Sequence, residues 1–362
     1  MTENTEEIAK LRSEIDAVDT DIIALLAKRA SLARAVGVAK KSTAVYRPER
    51  ERAIIERAIE SSLKLGSPLK AEAIAGIYRE IMGACRALER PLRVGFLGPE
   101  GTFCEMAAIS AFGHSVEFRP LANIDEVFRC AETGEIDYGV VPIENSAQGT
   151  VTRTLDLLEK TPLCIVGEVN VPVVHNLMTR AKSLADVKKI SAHPQALAQC
   201  HNWLASHLPT VELVPASSNA KAALAAASDP TLAAIAAARA SELYNLTILA
   251  NAIQDDARNR TRFFVLSKTA VRNIPTALAK TSIWFACANV SGGLCEVLEP
   301  LKKHGVSMVK LESRPARNGQ WDYTFYVDLE GYAEEEHVKA ALDEMRRSTS
   351  VFKLLGSYPK AV

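Results

Sequence analysis

Asn259-Arg260-Thr261-Arg262-Phe263-Phe264 closes a polar run, Asn251 to Asp256, and opens an apolar one, Phe263-Phe264-Val265-Leu266. Four apolar residues bounded by polar ones read as a buried strand. A hydroxyl between two guanidiniums at the mouth of that strand suits a small anion that must gain or lose a proton. Arginines hold carboxylates in a fork, and a threonine can hydrogen-bond a hydroxyl. Such a run is more often a strand edge with solvated charges, so its meaning depends on its flanks.

The whole chain narrows the choice. Its 362 residues suggest two or three domains. At 48% hydrophobic and 24% charged, its composition is that of an ordinary globular protein. Lys+Arg and Asp+Glu are 43 each, so no charge excess points to nucleic acid or to an anionic membrane. Seven cysteines are scattered without a Cys-x-x-Cys pair or zinc-type histidine spacing, which fits reduced thiols in a cytoplasm. The N-terminus Thr2-Glu3-Asn4-Thr5-Glu6-Glu7 lacks the apolar core of a signal peptide. No apolar run reaches the roughly 20 residues of a membrane span.

Residues 1–90 read as helices. Ile8, Leu11, Ile15, Val18, Ile22, Leu25, Leu26, Leu32 and Val36 recur at steps of three and four from about Glu6 to Lys41. Pro48 suits a first helical position, Glu49 to Leu65 form a second helix, and Lys70 to Leu88 a third. Three such helices bury little alone, so a second copy of the chain is expected to complete the stripe. Ala9-Lys10-Leu11-Arg12, Leu25-Leu26-Ala27-Lys28-Arg29 and Val36-Gly37-Val38-Ala39-Lys40 resemble an all-helical chorismate mutase domain. The resemblance implies an intertwined dimer in which Arg12 from the partner chain, Arg29, Lys40 and Arg50 clamp the two carboxylates of chorismate. Glu51 would accept from its hydroxyl, and Glu89 would meet the ether oxygen. Arg47 and Cys85 fall at two further substrate positions where other members carry Asp and Ser, and Glu89 stands where some carry Gln.

Residues 91–275 alternate strands and helices, an α/β pattern with mixed sheets. Gly98-Pro99-Glu100-Gly101-Thr102-Phe103 is a glycine-rich turn between strand and helix, able to offer N–H groups to an anion. Pro142-Ile143-Glu144-Asn145-Ser146, Ser191-Ala192-His193-Pro194-Gln195 and Thr261-Arg262-Phe263 follow. Each alone reads equally well as a cap or a turn. Together, in this order and spacing, they resemble prephenate dehydratase. That implies two α/β subdomains around a cleft, like a periplasmic solute-binding protein, and loss of carbon dioxide and water from prephenate. By the resemblance Thr261 faces the leaving hydroxyl as donor or relay, Asn145 and Gln199 orient the substrate, and Arg262 binds a carboxylate. Glu144 is a candidate for the acid. Ala192 replaces a serine common in the family.

Residues 276–362 read as βαββαβ, the ferredoxin-like order, with strands at Thr281 to Ala288, Ser307 to Glu312, Trp321 to Leu329 and Val351 to Ser357. Gly292-Gly293-Leu294 and Glu312-Ser313-Arg314-Pro315 resemble the amino-acid-binding signatures of an ACT domain, implying phenylalanine as an effector. The whole chain thus resembles the bifunctional chorismate mutase/prephenate dehydratases. That implies a cytoplasmic homodimer or larger homo-oligomer with no cofactor, metal, nucleic-acid or membrane partner. Two other readings use the same architecture: a dehydratase whose helices only dimerise, and a non-catalytic amino-acid sensor.

Overall fold

The computed structural model describes residues 3–39, 46–272, 274–315 and 323–361. They form two compact units, Met1–Leu92 with Phe112–Glu117, and Arg93–Ala111 with Phe118–Val362.

The first unit is built on α1 (Glu3–Ala39), α2 (Pro48–Lys64) and α3 (Ala71–Ala87). Pro48 opens α2, its fixed φ and missing N–H being tolerated there. α2 and α3 pack through Ile55, Ala75 and Met82. The expected stripe of α1 is present but uncovered: Ile15 is 57% and Leu25 66% exposed. Gly37 is the close approach of α1 to the end of α3, because a Cβ there would stand 2.8 Å from Glu89 Cγ.

The second unit continues with β1 (Arg93–Leu97), α4 (Phe103–Phe112), β2 (Glu117–Leu121), α5 (Ile124–Thr133), β3 (Tyr138–Asn145), β4 (Gly149–Thr150), α6 (Thr152–Lys160) and β5 (Cys164–Pro172). Next come β6 (Asn176–Thr179), β7 (Lys189–Ala192), α7 (Pro194–Gln199), α8 (His201–His207), β8 (Glu212–Pro215), α9 (Asn219–Ser228), β9 (Leu232–Ala236), α10 (Ala238–Tyr244), β10 (Thr247–Ala250) and β11 (Arg260–Ser267). The boundaries have local causes. The Asn123 side chain accepts the Glu126 N–H and Gly134 ends the helix in the left-handed region, fixing α5. Ser218 caps α9 in the same way.

Two sheets result, ordered β2-β1-β3-β11-β5 with β4 on β3, and β10-β6-β9-β7-β8. The chain leaves the first after β5, builds the second, and returns along β11. That is the expected two-lobed arrangement with two crossings. β11 starts earlier than its apolar residues indicate, at Arg260, because its polar end pairs with β3 and β5.

β12 (Ala279–Cys287), α11 (Gly293–Lys303), β13 (Met308–Pro315), β14 (Tyr323–Glu330), α12 (Glu336–Arg347) and β15 (Val351–Pro359) make the βαββαβ module, with sheet order β13-β14-β12-β15. Trp321, the expected start of β14, lies outside the described residues. One sheet face packs on α11 and α12 through Ile283, Phe285, Val327 and Val338. The other places Trp284, Tyr326, Leu355 and Tyr358 in the same core as Ile165 and Phe264 of the first sheet. The tightest approach is Gly356, where a Cβ would stand 2.2 Å from the Ile165 carbonyl oxygen. Gly356→Ala is expected to destabilise the protein by at least about 1–3 kcal/mol through overpacking. A denaturant midpoint unchanged from wild type would contradict that close approach.

Candidate functional sites

The helical unit holds an open cleft of about 590 Å³. Arg29 of α1, Arg47 and Arg50 at the start of α2, and Arg86 of α3 line it, with Glu51, Cys85 and Glu89. The reason is local: Arg50 and Glu51 occupy the first turn of α2, while Cys85, Arg86 and Glu89 come from the last turn of α3 and its end. Arg47 is tied to Glu49 at 2.7 Å. Arg12 is exposed on α1 and does not line this cleft. Lys40 lies outside the described residues.

Arg86 was not singled out from the sequence, where a basic residue in a last helical turn looks like a dipole partner. It is 5% exposed. Its guanidinium donates to Glu51 and, at 2.6 Å, to the Phe112 carbonyl, and lies 5.1 Å above the centre of the Tyr46 ring. Burial raises the Glu51 pKa, and the facing Arg86 works against that rise. Glu51 is therefore a fixed acceptor rather than a free surface charge.

The second unit holds a cavity of about 250 Å³ between its two sheets. Thr261 and Asn145 enter it from β11 and β3, where they are direct cross-strand partners. Asn145 Oδ1 accepts the Ala147 and Gln148 N–H groups, both at 3.1 Å. Two donors on one atom fix which end of the amide is oxygen. Its Nδ2 therefore donates, to Asn259 Oδ1 and to Thr261 Oγ1, each at 2.9 Å. With its lone pair so engaged, the Thr261 hydroxyl turns its own proton away from Asn145.

The opposite lobe contributes His193, which caps α7, with Gln195 and Gln199 from that helix, and Ser218, which caps α9, with Asn219 from its first position. The N-terminal end of α4 adds Thr102, Phe103 and Cys104. Helix N-termini offer unpaired N–H groups to an anion. The Gly101 N–H is an exception to the expected glycine-turn cradle, since Glu105 Oε2 accepts it at 2.6 Å. His175, on the crossing between β5 and β6, also lines the cavity and was not singled out from the sequence. Ser191 and Ala192 are buried and do not line it.

Two expectations are corrected. Arg262 does not reach this cavity. Adjacent residues of a strand face opposite ways, so Arg262 points behind Thr261, to Glu168 at 2.7 Å and Asp328 at 2.6 Å. Arg260 likewise does not line the cavity. Glu144, beside Asn145, is turned the same way as Arg262 and pairs with Lys310 of β13 at 2.7 Å. It does not stand at the cavity as an acid.

In the C-terminal module, Gly292 caps α11 at φ +80°, and Gly293 has no room for a side chain, its Cβ falling 2.6 Å from the Ala288 carbonyl oxygen. Cys287 pairs with Tyr323 and Tyr323 with Pro315. The register therefore puts Gly292, Gly293 and Leu294 at the same end of the sheet as Glu312, Ser313 and Arg314. Arg314 reaches Thr152 at 3.1 Å and Asp156 at 3.3 Å on α6.

Three family models match in order: chorismate mutase type II over residues 11–90, prephenate dehydratase over 94–271 and the ACT domain over 282–347. A bifunctional chorismate mutase/prephenate dehydratase of Aquifex aeolicus is 42% identical over 360 residues, covering 99% of each chain. The solved prephenate dehydratase of Arthrobacter aurescens in complex with L-Phe is 34% identical with a TM-score of 0.69, over 74% of this chain and 90% of that one. A structure described as GqqA, a novel type of quorum quenching acylase, is 28% identical with a TM-score of 0.68, over 74% and 98% of the two chains. Similarity of the last two carries no information on the helical unit, whereas the first relative spans all three parts. The chain belongs to the bifunctional chorismate mutase/prephenate dehydratase family.

Proposed function

We propose that the helical cleft performs the mutase step and the cavity between the sheets the dehydratase step. Chorismate is rearranged to prephenate, and prephenate loses carbon dioxide and water to give phenylpyruvate on the route to phenylalanine. The observation that carries the reading is the Asn145–Thr261 pair, which presents a hydroxyl proton in the wall of the cavity between the two sheets.

A concerted rearrangement needs no nucleophile. It needs the dianion held in a reactive shape and positive charge beside the breaking ether bond. Arg29, Arg47 and Arg50 serve the carboxylates, Arg86 holds Glu51 for the hydroxyl, and a second copy supplies Arg12 across the uncovered stripe of α1. That makes the working form a homodimer or larger assembly; Lys40 belongs to the same clamp by its position in the motif. The setting is the cytoplasm, consistent with seven unpaired cysteines and with no described helix long and apolar enough to cross a membrane.

Phenylalanine is the end product and the effector of the C-terminal module, with Gly292, Gly293, Leu294, Glu312, Ser313 and Arg314 around it. The helix start receives its carboxylate. The co-crystallised amino acid of the Arthrobacter enzyme supports this reading.

Three measurements follow. Purified protein given chorismate alone should form phenylpyruvate, and phenylalanine should suppress it; phenylalanine that binds without slowing dehydration would remove the regulatory assignment. Asn145→Asp should lower dehydratase kcat about a hundredfold with mutase activity intact, because the new carboxylate takes the Thr261 proton for itself. A dehydratase rate near wild type in that variant would sink the role given to Asn145. Glu89 lines the helical cleft and meets the ether oxygen in this reading, so Glu89→Ala should lower mutase activity and leave dehydratase activity intact. A mutase rate near wild type in that variant contradicts this place for Glu89.

A further inference from the structure

Dehydration needs a proton for the departing hydroxide, and a threonine hydroxyl is too weak an acid to supply one unaided. The described residues lining the dehydratase cavity include no Lys, Arg, Asp or Glu. Its titratable side chains are Cys104, His175 and His193. Burial pushes the Cys104 thiol up to about 12. His193 uses Nδ1 to accept the Gln195 N–H and cap α7, so a second proton there would break the cap.

His175 has no such tie. It is 2% exposed and its backbone is clamped: its N–H donates to Gln254 Oε1 at 3.0 Å, and its carbonyl accepts the Ile253 N–H at 2.8 Å. The edge of the ring meets Phe103, with centroids 5.6 Å apart. Nε2 stands 2.8 Å from Gln199 Oε1, which can only accept, so Nε2 carries the proton of the neutral ring. Nδ1 is buried and has no partner among the described residues. Buried ring nitrogens are nearly always satisfied, and an unpaired one on a residue that lines a cavity points to a ligand.

We propose that His175 is the proton donor of the dehydration, protonated at Nδ1 once dianionic prephenate fills the cavity. The proposal rests on the dehydratase reading of that cavity. In the step, the ring-to-carboxylate bond breaks and its electron pair enters the ring. The ring C–O bond breaks, and the hydroxyl leaves with the Nδ1 proton as water. Prephenate dianion and imidazolium thus become phenylpyruvate anion, carbon dioxide, water and neutral imidazole, and solvent returns the proton. Thr261 hydrogen-bonds the departing oxygen and holds it on line.

The surroundings explain why the substrate itself sets the charge. In the free protein burial lowers the His175 pKa, with the Gln199 bond opposing it. Phe103 and Gln199 contact the ring, and Cys104 and His193 stand elsewhere on the wall. Glu105 of α4 is committed to the Gly101 N–H and to Arg239. The two carboxylates of prephenate are the counter-charge the site lacks, and opposite charge nearby favours the imidazolium.

The test uses the full chain with saturating prephenate across the histidine pH range, comparing wild type, His175→Gln, His175→Asn and His193→Gln. Mutase activity and thermal unfolding serve as folding controls. Wild-type kcat should fall as pH rises through the bound-state histidine pKa. The two His175 variants should lose about 10²–10⁴-fold in kcat, with little change in KM, and the remaining rate should not follow that limb. His193→Gln should keep it. A His175 variant that retains wild-type kcat or the same limb, or a limb lost only in His193→Gln, overturns the assignment. A merely packing role would move stability and KM while leaving the limb in place. Wild type inert toward prephenate would fell the dehydratase reading and this proposal with it.

Discussion

The register between β3 and β11 is the constraint on which the second unit depends. Thr261 lies opposite Asn145, and Arg262 opposite Glu144. Strand alternation then separates two jobs with no further device. One face sends a hydroxyl and its orienting amide into the cavity. The other sends a guanidinium and a carboxylate backward, to Asp328 and Lys310 of the C-terminal module. A slip of one residue would exchange these faces, placing charges in the cavity and a hydroxyl among buried acids.

The two clefts meet a dianion in different ways, and the difference follows from their chemistry. Four arginines line the helical cleft, and Arg86 among them is committed to Glu51 and the Phe112 carbonyl; fixed positive charge suits a rearrangement that only redistributes charge. The sheet-bounded cavity has helix starts, amides and hydroxyls, and no described cationic side chain apart from what its histidines can become. A fixed guanidinium beside the departing carboxylate would stabilise the very charge that must leave as carbon dioxide. Dipoles and a substrate-induced imidazolium bind the anion without holding it so firmly.

Much of this was legible in the sequence because period and punctuation are local. The three-four spacing of Ile15, Val18 and Ile22, Pro48 at a helix start, and the order of the last six elements all translate directly into the fold. Thr261, Asn145 and Gln199 were legible as a set, through the spacing of their motifs. The direction of Arg262 is not legible from a run whose apolar part begins at Phe263; because β11 starts at Arg260, Arg262 and Thr261 cannot share a face. Arg86 and His175 gave no signal, since a helix-end arginine and a lone histidine are ordinary. What distinguishes them is burial and an unfilled or long-range partner, which only the tertiary structure supplies.

The back face of the Asn145–Thr261 pair offers a route by which the C-terminal module could govern the cavity. Arg262 is held by Glu168 and Asp328, donates to the Tyr358 hydroxyl at 3.1 Å, and lies over Phe264. Lys280 binds Glu168 at 2.8 Å, and the Ser282 hydroxyl donates to Asp328. Burial drives the Tyr326 and Tyr358 hydroxyls well above their usual pKa, so they remain neutral donors within this cluster. Removing one member of a buried pair costs about 3–5 kcal/mol, mostly for the charge left behind. Such a cluster therefore does not stretch gradually; its members stay paired or reorganise together. An effector can act only through a difference in affinity between two states. A shift of β13 or β14 large enough to disturb Lys310 or Asp328 would reach Glu144 and Arg262, and each is covalently one residue from a member of the Asn145–Thr261 pair, whose hydrogen bond depends on placement to within a fraction of an ångström.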